Sequence, residues 1–434
     1  MKDLDVRVLQ TISIADAESL LHCDQLINCL PFIRSVNNVR LPVLRATGNI
    51  ELLPEGYDPE SQVFTLPGGP EVEDMGFDTA KSFLRELFRE FCFKEGDSER
   101  ATSVVLSSML TLFALNVFPR YSPRPGFLYT ANAEGSGKTL LVRLAAIPRI
   151  GFTPTGCLPQ FEEEIKKAVF ASAIAGSPIL FFDNIKTHIS SGAIESAMTA
   201  PCIEGRILGR SQTLSIENIM TLFMTGNGAT ISPDLRRRML IVELDLREAR
   251  AEYRKIDRPL GEVEIRELRP AILSALWTLV LAWDKAGRPR PSLSLSGWEG
   301  WSHTICGVLE HAGFASPCTR PAASVSGDLD TEDMERLVEI LCANGGQIKF
   351  NELVKLCREH GLFIRLLGEE EEEDSQQGTL DPGNRNIFGR ILKKFDGRIF
   401  QGDVVFHRIP RGGKHSPYFY AEKRDVARNE GPCM

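Results

Sequence analysis

Apolar positions along the chain switch between two periods. Phe83, Leu84, Leu87, Phe88 and Phe91 recur at three- and four-residue spacing, the stripe of an amphipathic helix, and residues 104–117 follow as a second, nearly all-apolar helical segment. The pattern then changes. Short apolar runs at 127–132, 179–182, 220–225 and 239–244 have the length of buried strands. Helical stretches starting at 138, over 161–175 and near 194–199 lie between them, and 206–217 reads as a β-like segment. Alternation of this kind predicts a mainly parallel sheet with helices packed on it.

The flanks are different. Residues 1–75 mix short β-type runs (38–44, 62–66) with the turn signals Pro54-Glu55-Gly56 and Pro67-Gly68-Gly69. Beyond 250 the spacing is helical again (270–283, 298–312), until a Pro/Ser/Ala-rich stretch over 316–328 reads as a linker. The last hundred residues predict helices at 331–343, 350–360 and 386–395, then a hairpin-like pair, 398–408 and 418–422, around Pro410-Arg411-Gly412-Gly413-Lys414. Three helices and a hairpin suggest a winged helix-turn-helix. The domain plan expected is therefore an N-terminal α+β region (1–75), a helical collar (76–120), an α/β core (121–250), a helical lid (251–318), a linker (319–330), a winged helix (331–425) and a tail (426–434).

Composition narrows the picture. With 43% apolar and 25% charged residues the chain is an ordinary globular one. The longest apolar stretch, 104–118, is broken by Ser107, Ser108, Thr111 and Asn116, and is too short to cross a bilayer. Met1-Lys2-Asp3-Leu4-Asp5 lacks the basic-then-apolar order of a secretion signal, and the ten cysteines form no C-x-x-C pair. A cytoplasmic protein without membrane contact is expected. The net charge of −8 argues against general coating of nucleic acid, yet residues 384–424 carry ten Lys/Arg against three Asp/Glu, directly after the acidic run 369–374. Such a basic module on an acidic body is a candidate DNA contact through Arg390, Lys393, Lys394, Arg411 and Lys414.

The candidate chemistry lies where strand 127–132 meets the helix starting at 138. Glu134-Gly135-Ser136-Gly137-Lys138-Thr139-Leu140 is a glycine-rich loop in which successive backbone N–H groups can curl around phosphates. Lys138 would reach the β- and γ-oxygens of ATP, and Thr139 would offer its hydroxyl to Mg2+. The full pattern would place a first glycine at 132. Asn132 stands there instead, a residue that tolerates a positive φ. Asp183, 45 residues after Lys138 and preceded by Ile179-Leu180-Phe181-Phe182, is the expected second metal anchor. Asn184 occupies the position where many ATPases carry a glutamate. A carboxylate from elsewhere is then needed as base, and Glu162, Glu163 and Glu164 are available, with Glu164 the first choice. Asn227, at the tip of the 220–225 run, is suited to orient the attacking water. Asp234-Leu235-Arg236-Arg237-Arg238 offers an arginine finger, Arg237 or Arg238, that would act on a neighbour's nucleotide in a ring.

These residues together resemble the AAA+/superfamily 3-like helicase domain of primase-helicase proteins from phages, plasmids and integrative elements. The matching stretches are Leu53-Pro54-Glu55-Gly56-Tyr57-Asp58, the glycine-rich loop, Phe182-Asp183-Asn184-Ile185, Gly205-Arg206-Ile207-Leu208-Gly209, Thr225-Gly226-Asn227, residues 234–238, and Ala286-Gly287-Arg288-Pro289. The resemblance covers residues 39–314, with a weaker match through the C-terminal module. It implies a P-loop NTPase core of AAA+-like build, a homo-oligomeric ring of the hexameric kind, and ATP-driven movement of DNA through its centre for replication of a mobile element. It also implies a pore-side hairpin over 206–218, with Arg206 and Arg210 as DNA contacts, and offers Arg269 as a γ-phosphate sensor, although a plain surface arginine opening a helix is the stronger reading there. Asp183-Asn184 is shared with that group. No priming chemistry is visible in the first 75 residues, so a separate primase or polymerase is the expected partner. A regulatory ATPase that remodels a DNA-bound partner without unwinding, and a non-hydrolysing scaffold, are the alternative readings.

Overall fold

Burial and hydrogen bonding explain most of the elements in the computed structural model of the chain, which is described over residues 12–186, 188–206, 213–227, 229–246, 256–319, 329–368, 382–400, 403–409 and 417–423. Two short helices come first, α1 (Ile14–Leu21) and α2 (Asp24–Cys29). Ser13 caps α1 by accepting from the Asp16 amide at 3.1 Å. Five three-residue strands follow: β1 (Ser35–Asn37), β2 (Pro42–Leu44), β3 (Ile50–Leu52), β4 (Gly56–Asp58) and β5 (Val63–Thr65). They make a three-stranded sheet in the order β1-β5-β4 and a hairpin of β2 with β3. Arg45 ties the two together, donating to Glu51 at 2.7 Å and to Asp58 at 2.8 Å. That guanidinium, helped by the Ser61 hydroxyl, holds the Asp58 carboxyl down at about 2.

The stripe expected at 83–91 is realised only in part. Helix α3 (Phe77–Glu86) stops early, and residues 87–90 tighten into i→i−3 turns, such as Phe88 N–H to Arg85 O at 3.2 Å. Phe91 and Phe93 thereby leave the helix and stack on each other, centroids 5.9 Å apart. Helix α4 (Ser98–Phe113) is buried along nearly its whole length. Its polar positions are satisfied locally: Ser107, Ser108 and Thr111 each donate to a carbonyl one turn back.

The α/β alternation then follows as β6 (Gly126–Ala131), α5 (Lys138–Ile150), α6 (Glu162–Ile174), β7 (Ile179–Ile185), α7 (Gly192–Thr199), β8 (Cys202–Arg206), β9 (Thr213–Glu217), β10 (Thr221–Asn227), α8 (Pro233–Arg236) and β11 (Met239–Leu244). Strands β6, β7, β10 and β11 form one sheet in the order β11-β6-β10-β7, every pair parallel. A parallel sheet buries both faces, which is why these strands read as continuous apolar runs. Phe127, Tyr129, Phe181, Phe223 and Val242 pack on the side of α4 and α5. Leu128, Leu180, Phe182, Leu222 and Met224 pack on the side of α6 and α7. The β8–β9 pair is a separate antiparallel hairpin that starts earlier than 206. Its tip, with Arg210, lies outside the described residues.

Helices α9 (Glu262–Glu267), α10 (Arg269–Lys285) and α11 (Glu299–His311) complete a first compact unit, Met1–Pro321. Trp301 on α11 is fully buried and donates to Thr111 on α4 at 2.8 Å. The second unit, Ala322–Met434, contains α12 (Leu329–Asn344), β12 (Ile348–Lys349), α13 (Phe350–Glu359), α14 (Ile364–Leu367), α15 (Pro382–Phe395), β13 (Ile399–Phe400), β14 (Val404–Ile409) and β15 (Tyr418–Lys423). Its antiparallel sheet has the order β12-β15-β14-β13, and Leu337, Phe350, Phe388, Phe406 and Phe419 form its core. Among the described residues no helix is long and apolar enough to cross a membrane.

Candidate active site

Three strand tips of the parallel sheet converge beside the first turn of α5. The chain leaves β6 at Ala131, turns through residues 132–137 and enters α5 at Lys138. Gly135 (φ 72°) and Gly137 (φ 100°) both occupy the left-handed region. A side chain at Gly137 would also meet the Phe91 ring at 3.2 Å, so the glycine is required by backbone and by packing. Its N–H and those that follow point from the positive end of a thirteen-residue helix, an arrangement that attracts anions. Glu134 and Gly135 are exposed, Ser136 is buried, and Leu140 is partly buried.

Lys138 is folded back into the loop, where its Nζ donates to Ala133 O and Ser136 Oγ, both at 3.1 Å. Burial pushes its pKa down, and the carboxylates of Glu134 and Asp183 oppose that shift. Thr139 Oγ1 lies 3.2 Å from Asp183 Oδ1, so the helix and the β7 tip, two strands away in the sheet, meet at these two oxygens. Asp183 is tightly held. The Thr225 hydroxyl on β10 donates to the same Oδ1, and so does the Asn184 amide at 3.0 Å. The Asn184 amide also reaches Thr225 Oγ1 at 3.0 Å. Asn184 adopts φ 54°, and the β7–β10 register shifts there. That bulge turns the Asn184 side chain outward, where it is exposed.

Asn227 ends β10 opposite Ala131, directly beside the start of the loop. Its Oδ1 is buried and accepts no hydrogen bond among the described residues. An acceptor so placed can take a hydrogen bond from water or a ligand at the strand tip.

The other expected residues are placed less centrally. Glu162 caps the neighbouring helix, accepting from the Ala193 amide at 2.7 Å. Glu163 and Glu164 are exposed and pair with Lys166 and Lys167 on their own helix. Arg237 is exposed and pairs with Asp234 at 3.0 Å, whereas Arg238 is mostly covered and bound to Glu195 at 2.8 Å. Arg206 is exposed at the end of β8, and Arg390 and Lys393 are exposed on α15. Lys394 lies on α15 too, and Arg411 and Lys414 fall outside the described residues. Arg269 donates to Pro148 O and Asn38 Oδ1, both at 3.0 Å. This puts its guanidinium at the C-terminal end of α5, about 15 Å along the helix from the glycine-rich loop. Arg269 is thus a helix-end clamp, away from the loop where a γ-phosphate sensor would act and closer to the stronger of its two expected readings, a plain arginine opening a helix.

Asn132 also differs from expectation. It has no positive φ. Its side chain instead bonds across to the end of β11: Nδ2 donates to Asp245 Oδ1 at 2.6 Å and to Leu246 O at 3.0 Å, and Oδ1 accepts from the Leu246 amide at 2.9 Å. Sequence reasoning missed this clasp because its halves are 113 and 114 residues apart. It also assigned no role to Thr225, one of two threonines in an apolar run, or to Cys92, whose Sγ lies 3.7 Å from Ser136 O.

Among the described residues no group of three or more His, Cys, Asp or Glu side chains could hold a metal. Mg2+ uses one or two protein oxygens together with phosphates and water, so the Thr139–Asp183 pair fits it without such a cluster.

No protein-family model matches the chain, and no curated protein matches it by sequence. Solved structures do. The A-form apo structure of the NrS-1 C-terminal region is 10% identical, with 83% of this chain and 80% of that one covered at a TM-score of 0.37. A second NrS-1 C-terminal structure is 12% identical, with 87% and 83% covered at 0.36. The active helicase Cch of SCCmec type IV is 12% identical, with 95% and 84% covered at 0.32.

Proposed function

We propose that the chain is a P-loop ATPase of AAA+-like build that uses ATP hydrolysis to move along DNA, as a helicase or translocase serving a mobile element. The observation that carries the ATPase reading is the meeting of Thr139 and Asp183 at 3.2 Å beside a glycine-rich loop on a helix N-terminus. The amides of residues 135–139 and the dipole of α5 receive the triphosphate. Lys138 exchanges its internal acceptors for phosphate oxygens. Thr139 and Asp183 would hold Mg2+, which would supply positive charge against the β- and γ-oxygens. Thr225 and the Asn184 amide fix the Asp183 carboxylate so that one oxygen stays aimed at Thr139. Asn227 Oδ1 takes a hydrogen bond from the attacking water and orients it.

Phosphoryl transfer through a loose transition state depends mainly on positioning and charge, with little call for a strong base. That supports a site in which Asn184 stands where a glutamate is common and Glu164 is paired with Lys167. Arg237, exposed after the β10 tip, is the better finger for a neighbouring subunit, because Arg238 is bound to Glu195. The DNA-translocating part of the proposal rests on the sequence resemblance. Two features support it: the β8–β9 hairpin with exposed Arg206 between the Asp183 and Asn227 strands, and exposed Arg390 and Lys393 in the second unit, read as a winged helix. Helices α10 and α11 are read as the lid.

Hydrolysis measured with Mg2+, with and without single-stranded DNA, alongside strand displacement on a forked duplex, tests the proposal. DNA-stimulated turnover with displaced strand is expected. Turnover without displacement would move the chain to a remodelling ATPase, and no turnover under either condition would refute the motor.

A further inference from the structure

The glycine-rich loop is held at its entrance by a side chain that its usual pattern does not contain. Where that pattern has glycine, Asn132 makes three side-chain hydrogen bonds, of 2.6, 3.0 and 2.9 Å, to Asp245 and to both backbone groups of Leu246. Its amide adds a bond to Leu244 O at 3.3 Å. Residues 244–246 continue edge strand β11, the neighbour of β6 in the sheet. The same strand end is held from the other side. Asp245 N donates to Cys92 O at 2.8 Å, and Phe93 forms a β-bridge with Leu244. Cys92 and Phe91 in turn touch the loop, at Ser136 O and beside Gly137. Loop, strand end and the 91–93 segment therefore form a closed triangle.

We propose that Asn132 is a positioning residue for nucleotide binding, locking the entrance of the glycine-rich loop to the end of β11. This rests on the reading of that loop as the triphosphate site. A glycine at 132 leaves the entrance free to choose among backbone conformations. Asn132 removes that freedom through Asp245 and Leu246, so the amides of 135–139 are pre-arranged before an anion arrives. Asn132 itself is not a phosphate ligand in this account. Its two polar ends are used by the clasp.

The test compares full-length wild type with Asn132→Gly, Asn132→Asp, and the swapped pair Asn132→Asp with Asp245→Asn. Asn132→Gly restores the usual pattern and removes the clasp. Binding of a fluorescent N-methylanthraniloyl ATP is read by titration with Mg2+, and amide hydrogen exchange over residues 133–137 is read without nucleotide. The clasp predicts that Asn132→Gly weakens nucleotide binding between about threefold and tenfold and speeds loop exchange by a similar factor. Asn132→Asp, facing Asp245, is expected to do the same or worse. The swapped pair, in which residue 245 becomes the donor, recovers part of both losses, since only the bond between 132 and 245 is restored and Leu246 O stays without its donor. Asn132→Gly binding and exchanging like wild type would overturn the proposal, as would a swapped pair no better than Asn132→Asp. A wild type that binds no nucleotide would sink the reading of the site and with it a role in binding. The exchange arm would still decide whether the clasp holds the loop.

Discussion

At its start α5 presents positive-φ glycines, backbone amides with no partner among the described residues and a folded-back Lys138, whereas its last turn is closed by arginines. Arg266 donates to Gly151 O, Arg269 to Pro148 O at 3.0 Å, and buried Arg149 to Asn37 Oδ1. Cations over the terminal carbonyls complement the negative end of the helix and use up its acceptors. Among the described residues the positive end has no such fixed partner. One helix thus separates a finished, structural end from an end left ready for an anion, and a basic residue at the finished end says nothing about phosphate.

The sharpest way to break that contrast is chemical. Lys138→Ala is expected to lower ATP turnover by at least about 10²-fold, about 3 kcal/mol of transition-state stabilisation, with an unchanged circular dichroism spectrum. Turnover within a factor of two of wild type would contradict the role of the open end. At the closed end the effect should be on stability alone. Asn37→Ala leaves the fully buried, burial-depressed Arg149 guanidinium short of its acceptor, and is expected to cost about 3 kcal/mol in urea unfolding. Turnover per folded molecule should hold. Gly137→Ala acts at the open end through conformation, forcing φ 100° on an L-residue and pressing Cβ on Phe91. About 2 kcal/mol is expected, seen in both melting and nucleotide affinity.

The smallest effect lies away from both ends, in the Arg45–Asp58 pair. The folded carboxyl titrates near 2 against an ordinary value near 3.8, so its contribution is complete above pH 4. It is lost as pH falls towards 2, because protonation then favours the unfolded chain. Asp58→Asn should remove about 1 to 2 kcal/mol at pH 7 and flatten stability between pH 4 and 2. An unchanged acid limb would show that Arg45 does not set this carboxyl.

Much of the open end was legible because its signals are local. Gly135, Gly137, Lys138 and Thr139 lie within five residues, and the apolar run before Asp183 marks a buried strand wherever it occurs. The parallel sheet followed from four such runs, and its strands came out within two or three residues of the expected spans. What could not be read depends on partners far along the chain. Arg269 reaches across 121 residues to Pro148, and Arg238 across 43 to Glu195. Asn132 looked like a residue tolerating an unusual φ and is instead a bonded clasp. The stripe through Phe91 failed for another reason: a helical period predicts a face but not where the helix stops, and the 87–90 turns redirect Phe91 towards Gly137.

Isothermal titration of the full-length chain with ATP and Mg2+, run in parallel on Lys138→Ala and Arg269→Ala, tests the central claim most directly. One nucleotide per chain is predicted for wild type, with binding abolished or weakened at least tenfold by Lys138→Ala and unchanged by Arg269→Ala once both variants are shown to be folded. Binding that survives Lys138→Ala but disappears in Arg269→Ala would place the anion at the wrong end of α5 and contradict the account.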